Sequence, residues 1–159
     1  MGIIALFSWL ITVAAGLYLL AIWLIEYDRD FQRAAATRLP VPVLSSHVLL
    51  ALAGLLAWGG YLITDNERLA WTAAIVLGGV VILGLTMAVR WLAVYRATPA
   101  PARVRVVGGG LATAEAVPAA GPPAPPERNF PVAVVVTHGL FALATITLVL
   151  LTALGTFGS

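Results

Sequence analysis

The chain reads as an all-helical integral membrane protein, a four-helix bundle made of two parallel-duplicated helical hairpins. Three observations predict this. First, of 159 residues 61% are hydrophobic and only 10% charged, with a mean hydropathy of +0.99, whereas an ordinary soluble domain carries about 25% charged residues. Second, four runs are free of charge, Ile3–Ile25, Val43–Thr64, Leu69–Val89 and Val132–Gly155, and each is close to the ~20 residues that cross a ~30 Å hydrocarbon core. Third, two stretches of the chain recur at matching places, as set out below.

The first run, Ile3–Ile25, is read as a retained span. It has no basic start and no clear small-x-small cleavage site before the charged segment that follows, the two marks of a secretory signal. The second run follows Pro40, read as the start of its helix, since proline is favoured in a first helical turn, where a missing N–H costs nothing. Asp65, Asn66, Glu67 and Arg68 read as a tight turn into the third run. The fourth run follows Pro131 in the same manner as the second follows Pro40. The organisation expected is a first hairpin plus third span over 1–96, with spans near 3–25, 43–64 and 69–92; a linker over 97–129; and a fourth span with a short C-terminus over 130–159.

The linker holds seven prolines and a Gly108-Gly109-Gly110 triplet. Such a stretch buries too little apolar surface to order itself, and its Pro122-Pro123-x-Pro125-Pro126 run favours polyproline II. It reads as a tether between halves, with docking to a partner as the alternative. A transient strand at Val104–Val107 is given little weight.

The second and fourth runs share Pro-Val-x-Val-x3-His-x-Leu-x-Ala-Leu-Ala, starting at Pro40 and Pro131, an offset of 91 residues. The first and third share Gly-Leu-x5-Trp-Leu-x2-Tyr, starting at Gly16 and Gly84, an offset of 68. The longer third loop accounts for the difference. The order of the two motifs is the same in both copies, so the copies run in the same direction, related by an axis near the membrane normal. Tryptophan and tyrosine collect at membrane–water interfaces, which explains the residue types in the second motif but not the shared spacing.

All nine basic residues are arginine, and eight of them fall in the first and third loops. The positive-inside rule therefore expects those loops in the cytoplasm and both termini outside, in a cell or inner membrane. The net charge is only +2, which gives no reason to expect nucleic acid as a partner. There is no cysteine, which excludes disulfides, thiolate ligation and thiol catalysis. No nucleotide-binding loop, nucleophile–base pair or hydrolase motif is present, so the chain is not expected to be an enzyme by itself. Glu26, Asp28 and Asp30 read as partners of Arg29 and Arg33 rather than as a carboxylate site.

His47 and His138 are the only histidines, and they occupy equivalent places in the repeat. Each lies seven residues past its helix-starting proline, about 10 Å along a helix axis. Equal depth in two parallel copies places both imidazoles at one level near the arginine-rich side. Ala51 and Gly54 below His47, and Ala142 and Thr145 below His138, keep those faces small, leaving room for close helices or a flat ligand. Intramembrane ionisable residues are functional candidates by default. The reading that follows is a haem b held between two neutral imidazoles, His47 and His138 serving as the metal ligands, with Ser46 and Thr137 as supporting hydrogen-bond groups and Arg38 and Arg128 pairing the haem carboxylates. The architecture is similar to that of small membrane cytochromes b, a likeness of architecture that no motif carries. It implies an electron-transfer protein or subunit. The alternatives are a structural or accessory subunit of a larger membrane complex or homo-oligomer, in which the histidines are helix-to-helix glue, and a small transporter or proton relay.

Overall fold

The computed structural model describes residues 1–26, 37, 39–97 and 125–155. Four long helices account for nearly all of them: α1 (Gly2–Glu26), α2 (Val41–Thr64), α3 (Glu67–Arg96) and α4 (Val132–Ala153), with a 3₁₀ turn at Pro126–Asn129 ahead of α4. All four are long and apolar enough to cross a membrane.

Local chemistry sets the ends. Pro40 and Pro131 stand at the N-caps of α2 and α4 in extended conformation, the backbone that a proline ring favours just outside a helix. Asp65 stops α2 by adopting the left-handed region at φ 53, its N–H returning to the Tyr61 carbonyl. Asn66 then caps α3 by accepting from the Arg68 N–H at 3.0 Å. The turn is thus two residues long, and Glu67 and Arg68 already belong to α3. Gly155, at φ +65 with its N–H on Thr152, closes α4, the usual place for a glycine that no Cβ hinders. α3 runs to Arg96, beyond the expected end near residue 92. Arginine and alanine are good helix formers, and nothing between Arg90 and Arg96 breaks the ladder. At 30 residues it is about 45 Å long and overhangs a ~30 Å apolar layer.

The helices follow one another round the bundle. α2 packs most closely on α3, and α4 on α1; α3 meets α4 less, and α1 meets α2 least. α1 and α3 form one diagonal and α2 and α4 the other. The core is built from two indoles and small side chains, Trp9 and Trp58 among Ala73, Ala74, Leu77 and Val149. The Trp58 indole N–H donates to the Gly2 carbonyl at 3.2 Å. The outward faces carry large apolar residues: Ile63 is 84% exposed, Ile25 81% and Leu56 77%. Water would penalise such a surface on a bundle this small, and lipid does not.

The bulk of the proline-rich linker, the Val104–Val107 run, the cluster Asp28, Arg29, Asp30 and Arg33, and Arg38 lie outside the described residues. The 3₁₀ turn was not legible as an element. It packs against both α1 and α3 and carries Glu127, whose side chain is wholly buried.

Candidate functional site

The site starts from two glycines. In a helix, the side chain at position i+4 lies over the preceding turn, where the carbonyl of residue i emerges. A glycine at i+4 uncovers that carbonyl to a neighbouring helix. Gly16 does so for Thr12 on α1, and Gly84 for Val80 on α3. His138 of α4 hydrogen-bonds the Thr12 carbonyl through Nδ1 at 2.9 Å, and His47 of α2 bonds the Val80 carbonyl through Nδ1 at 3.0 Å. A Cβ on Gly16 would stand 2.9 Å from His138 Cε1, and one on Gly84 3.0 Å from His47 Cε1. Each imidazole edge therefore occupies the volume that the glycine leaves free.

A carbonyl only accepts, so Nδ1 of each ring is the protonated nitrogen, and in the neutral ring Nε2 keeps its lone pair. Among the described residues neither Nε2 has a hydrogen-bond partner. The two rings approach each other across the α2–α4 diagonal, with centroids 6.3 Å apart and planes at 54°. A direct Nε2-to-Nε2 hydrogen bond would bring the centroids to roughly 5 Å. Two metal–imidazole bonds of about 2 Å, with each nitrogen about 1.1 Å from its ring centre, bring them to roughly 6 Å. At 6.3 Å the rings stand farther apart than a direct bond between them would hold them. Among the described residues no group of three His, Cys, Asp or Glu forms, so a bare ion would need its remaining ligands from elsewhere.

The half of the bundle away from the arginine-rich loops is closed beneath the rings. Trp9 packs on Gly54, where a Cβ would meet its indole at 3.1 Å. Ser8 Oγ and Thr145 Oγ1 share a hydrogen bond at 2.9 Å, and Thr145 also donates to the Phe141 carbonyl at 2.7 Å. Gly54 and Thr145 thus face inward, as their spacing from the histidines requires, but their space is filled by side chains from α1.

The other expected site residues fall as follows. Ser46 and Thr137 are exposed. The rings' recorded hydrogen bonds run to backbone carbonyls instead, which sit directly in the path of each Nδ1. Thr137 lines an open apolar groove of about 360 Å³ between α1 and α4, with Ala15, Tyr18, Ala133 and Val134. Arg128 is half-buried in the 3₁₀ turn, and Arg38 lies outside the described residues. Three residues were missed. Gly16 and Gly84 were legible as repeat markers but not as seats for the rings; a glycine in each odd helix paired with a histidine in each even one was the available signal. Glu127, bonded by the Thr37 hydroxyl at 3.2 Å, had none. Trp23 and Trp91, expected at the interface, are instead turned into the bundle at 4% and 8% exposure.

No protein-family model, curated protein or solved structure matches this chain.

Proposed function

We propose that this protein is an integral membrane haem-b-binding electron-transfer protein or subunit, in which His47 and His138 would hold the haem iron. The observation that carries the reading is the ring pair: two imidazoles 6.3 Å apart across the bundle, each anchored through Nδ1 on a carbonyl. Ligating histidines characteristically donate their second N–H to a carbonyl or carboxylate, which fixes tautomer and ring orientation. The residues present fit the group. Both nitrogens that would face the metal are free of hydrogen bonds among the described residues, and the helix pairs α2–α3 and α4–α1 meet along looser seams than the contacts within each pair. Haem would supply reversible one-electron chemistry; the chain would bind it, orient the rings and keep the site dry.

The repeated sequence motifs support the same reading. Thr12 and Val80, Gly16 and Gly84, and Trp23 and Trp91 are each 68 residues apart, while the histidines are 91 apart. In this reading each copy's histidine is seated on the other copy's glycine helix, and the bundle's two-fold axis passes between the rings. The arginine bias puts both termini outside and the rings in the cytoplasmic leaflet of the cell membrane.

One observation favours a second reading. The same two Nδ1 bonds tie α2 to α3 and α4 to α1, which is all that an accessory subunit of a larger membrane complex needs from its histidines. Visible absorption separates the two. Protein purified after expression with added haem precursor should show sharp α and β bands on reduction, and His47→Ala or His138→Ala should remove them. Colourless wild-type protein that co-purifies with larger membrane subunits would favour the accessory reading instead.

A further inference from the structure

We infer that Trp91 belongs to the same binding site and that its indole N–H donates to a carboxylate of the bound tetrapyrrole; this rests on the haem reading above. Trp91 is 8% exposed, and its Nε1 is buried with no hydrogen-bond partner among the described residues. Buried donors in native folds are paired almost without exception, and an orphan calls for a group that is absent or a structural reason. By contrast, the wholly buried indole of Trp58 in α2 is satisfied by the Gly2 carbonyl. The interfacial explanation for a tryptophan at a helix end requires its N–H among headgroups and water, which burial rules out for Trp91.

Position supplies the second argument. Trp91 lies seven residues beyond Gly84, so it shares the face of α3 that receives His47, two turns nearer the arginine-rich end. Two turns rise about 10 Å, comparable to the reach of a porphyrin from its metal to the ends of its propionates. A tetrapyrrole ligated at the histidine level, with its acid edge toward the arginine-rich loops, brings a carboxylate to the height of this indole. The floor of Trp9, Ser8 and Thr145 closes the opposite direction. The ring is also held in place: it stacks on Tyr95 with centroids 5.4 Å apart and planes at 25°. A donor already desolvated and oriented loses little on binding, and a charged acceptor makes the strongest use of it.

The test compares haem with its dimethyl ester, which keeps the ring and metal and lacks the charged acceptors, in full-length protein in detergent. Haem transfer to apomyoglobin gives the dissociation rate. Trp91→Phe, which keeps an aromatic ring and removes the N–H, should release haem about ten-fold faster or more, and should leave release of the ester unchanged. Equal acceleration for both ligands assigns Trp91 to packing and overturns the inference, as does an unchanged haem rate; both leave the haem reading standing. Failure of the wild type to bind either ligand removes the haem reading and the inference with it. Should Trp91→Phe lose its helical circular dichroism, the wild type decides alone. One of its five indole N–H resonances should move further downfield with ferrous haem than with the ester, and equal shifts with the two ligands overturn the proposal.

Discussion

Gly16→Ala isolates the seat of one ring from the stability of the bundle. The added Cβ would lie 2.9 Å from His138 Cε1 and 3.3 Å from Nδ1, where ordinary carbon contacts begin near 3.5 Å. The ring must therefore retreat by about 0.5 Å. A retreat along the Nδ1–Thr12 direction would stretch that 2.9 Å hydrogen bond to about 3.4 Å, beyond the usual N–H···O range. Loss of the bond costs about 0.5–1.5 kcal/mol. Replacing glycine by alanine in a helix interior returns about 0.8–1.0 kcal/mol. The two nearly cancel, so the melting temperature should stay within about 4 °C of wild type. The site should not be spared. Changes to groups that orient a metal ligand typically lower affinity by about 10–100-fold, and haem titration followed at the Soret band should show a loss of that order. Gly78→Ala is the control: nothing lies within 4 Å of its added Cβ, so it should gain stability and leave affinity untouched. Equal behaviour of the two variants would show that Gly16 is only a packing position and that the Nδ1 anchor does not govern the site.

Other changes probe the frame. Asn66→Ala removes the side chain that accepts the Arg68 N–H, and thermal melts should show a loss of about 1 kcal/mol with no change at the rings. The Ser8–Thr145 hydrogen bond ties α1 to α4 beneath the rings at 2.9 Å; a double-mutant cycle of Ser8→Ala and Thr145→Val should return a coupling near 0.6 kcal/mol, the average found for such bonds between membrane helices. A coupling of zero would place the load on Thr145's own bond to Phe141.

Much of the frame was readable because membrane helices are specified by composition. A charge-free run of the right length must satisfy its backbone internally, and a helix does so within the run; hence α1, α2 and α4 fall where the runs fall. The end of α3 was not legible because Arg90 and Arg96 close a hydropathy window without breaking a helix. The histidines stood out as candidates because they are two, alone and equivalent by motif. Their partners were harder to foresee. Ser46 and Thr137 looked suitable by residue type, but the helical rotation that points His47 and His138 inward turns their immediate neighbours outward. A backbone carbonyl has no residue identity, so the only trace it leaves in a sequence is the glycine that uncovers it. The Trp-Leu-x2-Tyr pattern misled for a related reason: a tryptophan at a helix end suits either headgroups or a bundle interior, and only the rotation of the helix, set by Gly16 and Gly84 on the same face, decides between them.

The two rings belong to different tightly packed helix pairs, His47 to α2–α3 and His138 to α4–α1, so their separation measures the distance between the pairs. A ligand held by both rings bridges the looser seams of the bundle and is lost when the pairs part. Such a ligand binds only the assembled state, and stability should rise by RT ln(1 + [L]/Kd), about 2.7 kcal/mol at one hundred times Kd. Thermal unfolding by circular dichroism, with haem added in steps, should give a melting temperature that climbs with free haem and does not saturate at stoichiometry. His138→Ala should flatten the climb, because one remaining imidazole grips only its own pair. Haem held by a single ring at the open groove near Thr137 would behave otherwise: the melting temperature would rise with haem in His47→Ala as it does in wild type. That outcome would refute a shared ligand, since a group bridging the two pairs cannot be indifferent to the loss of one of its two anchors.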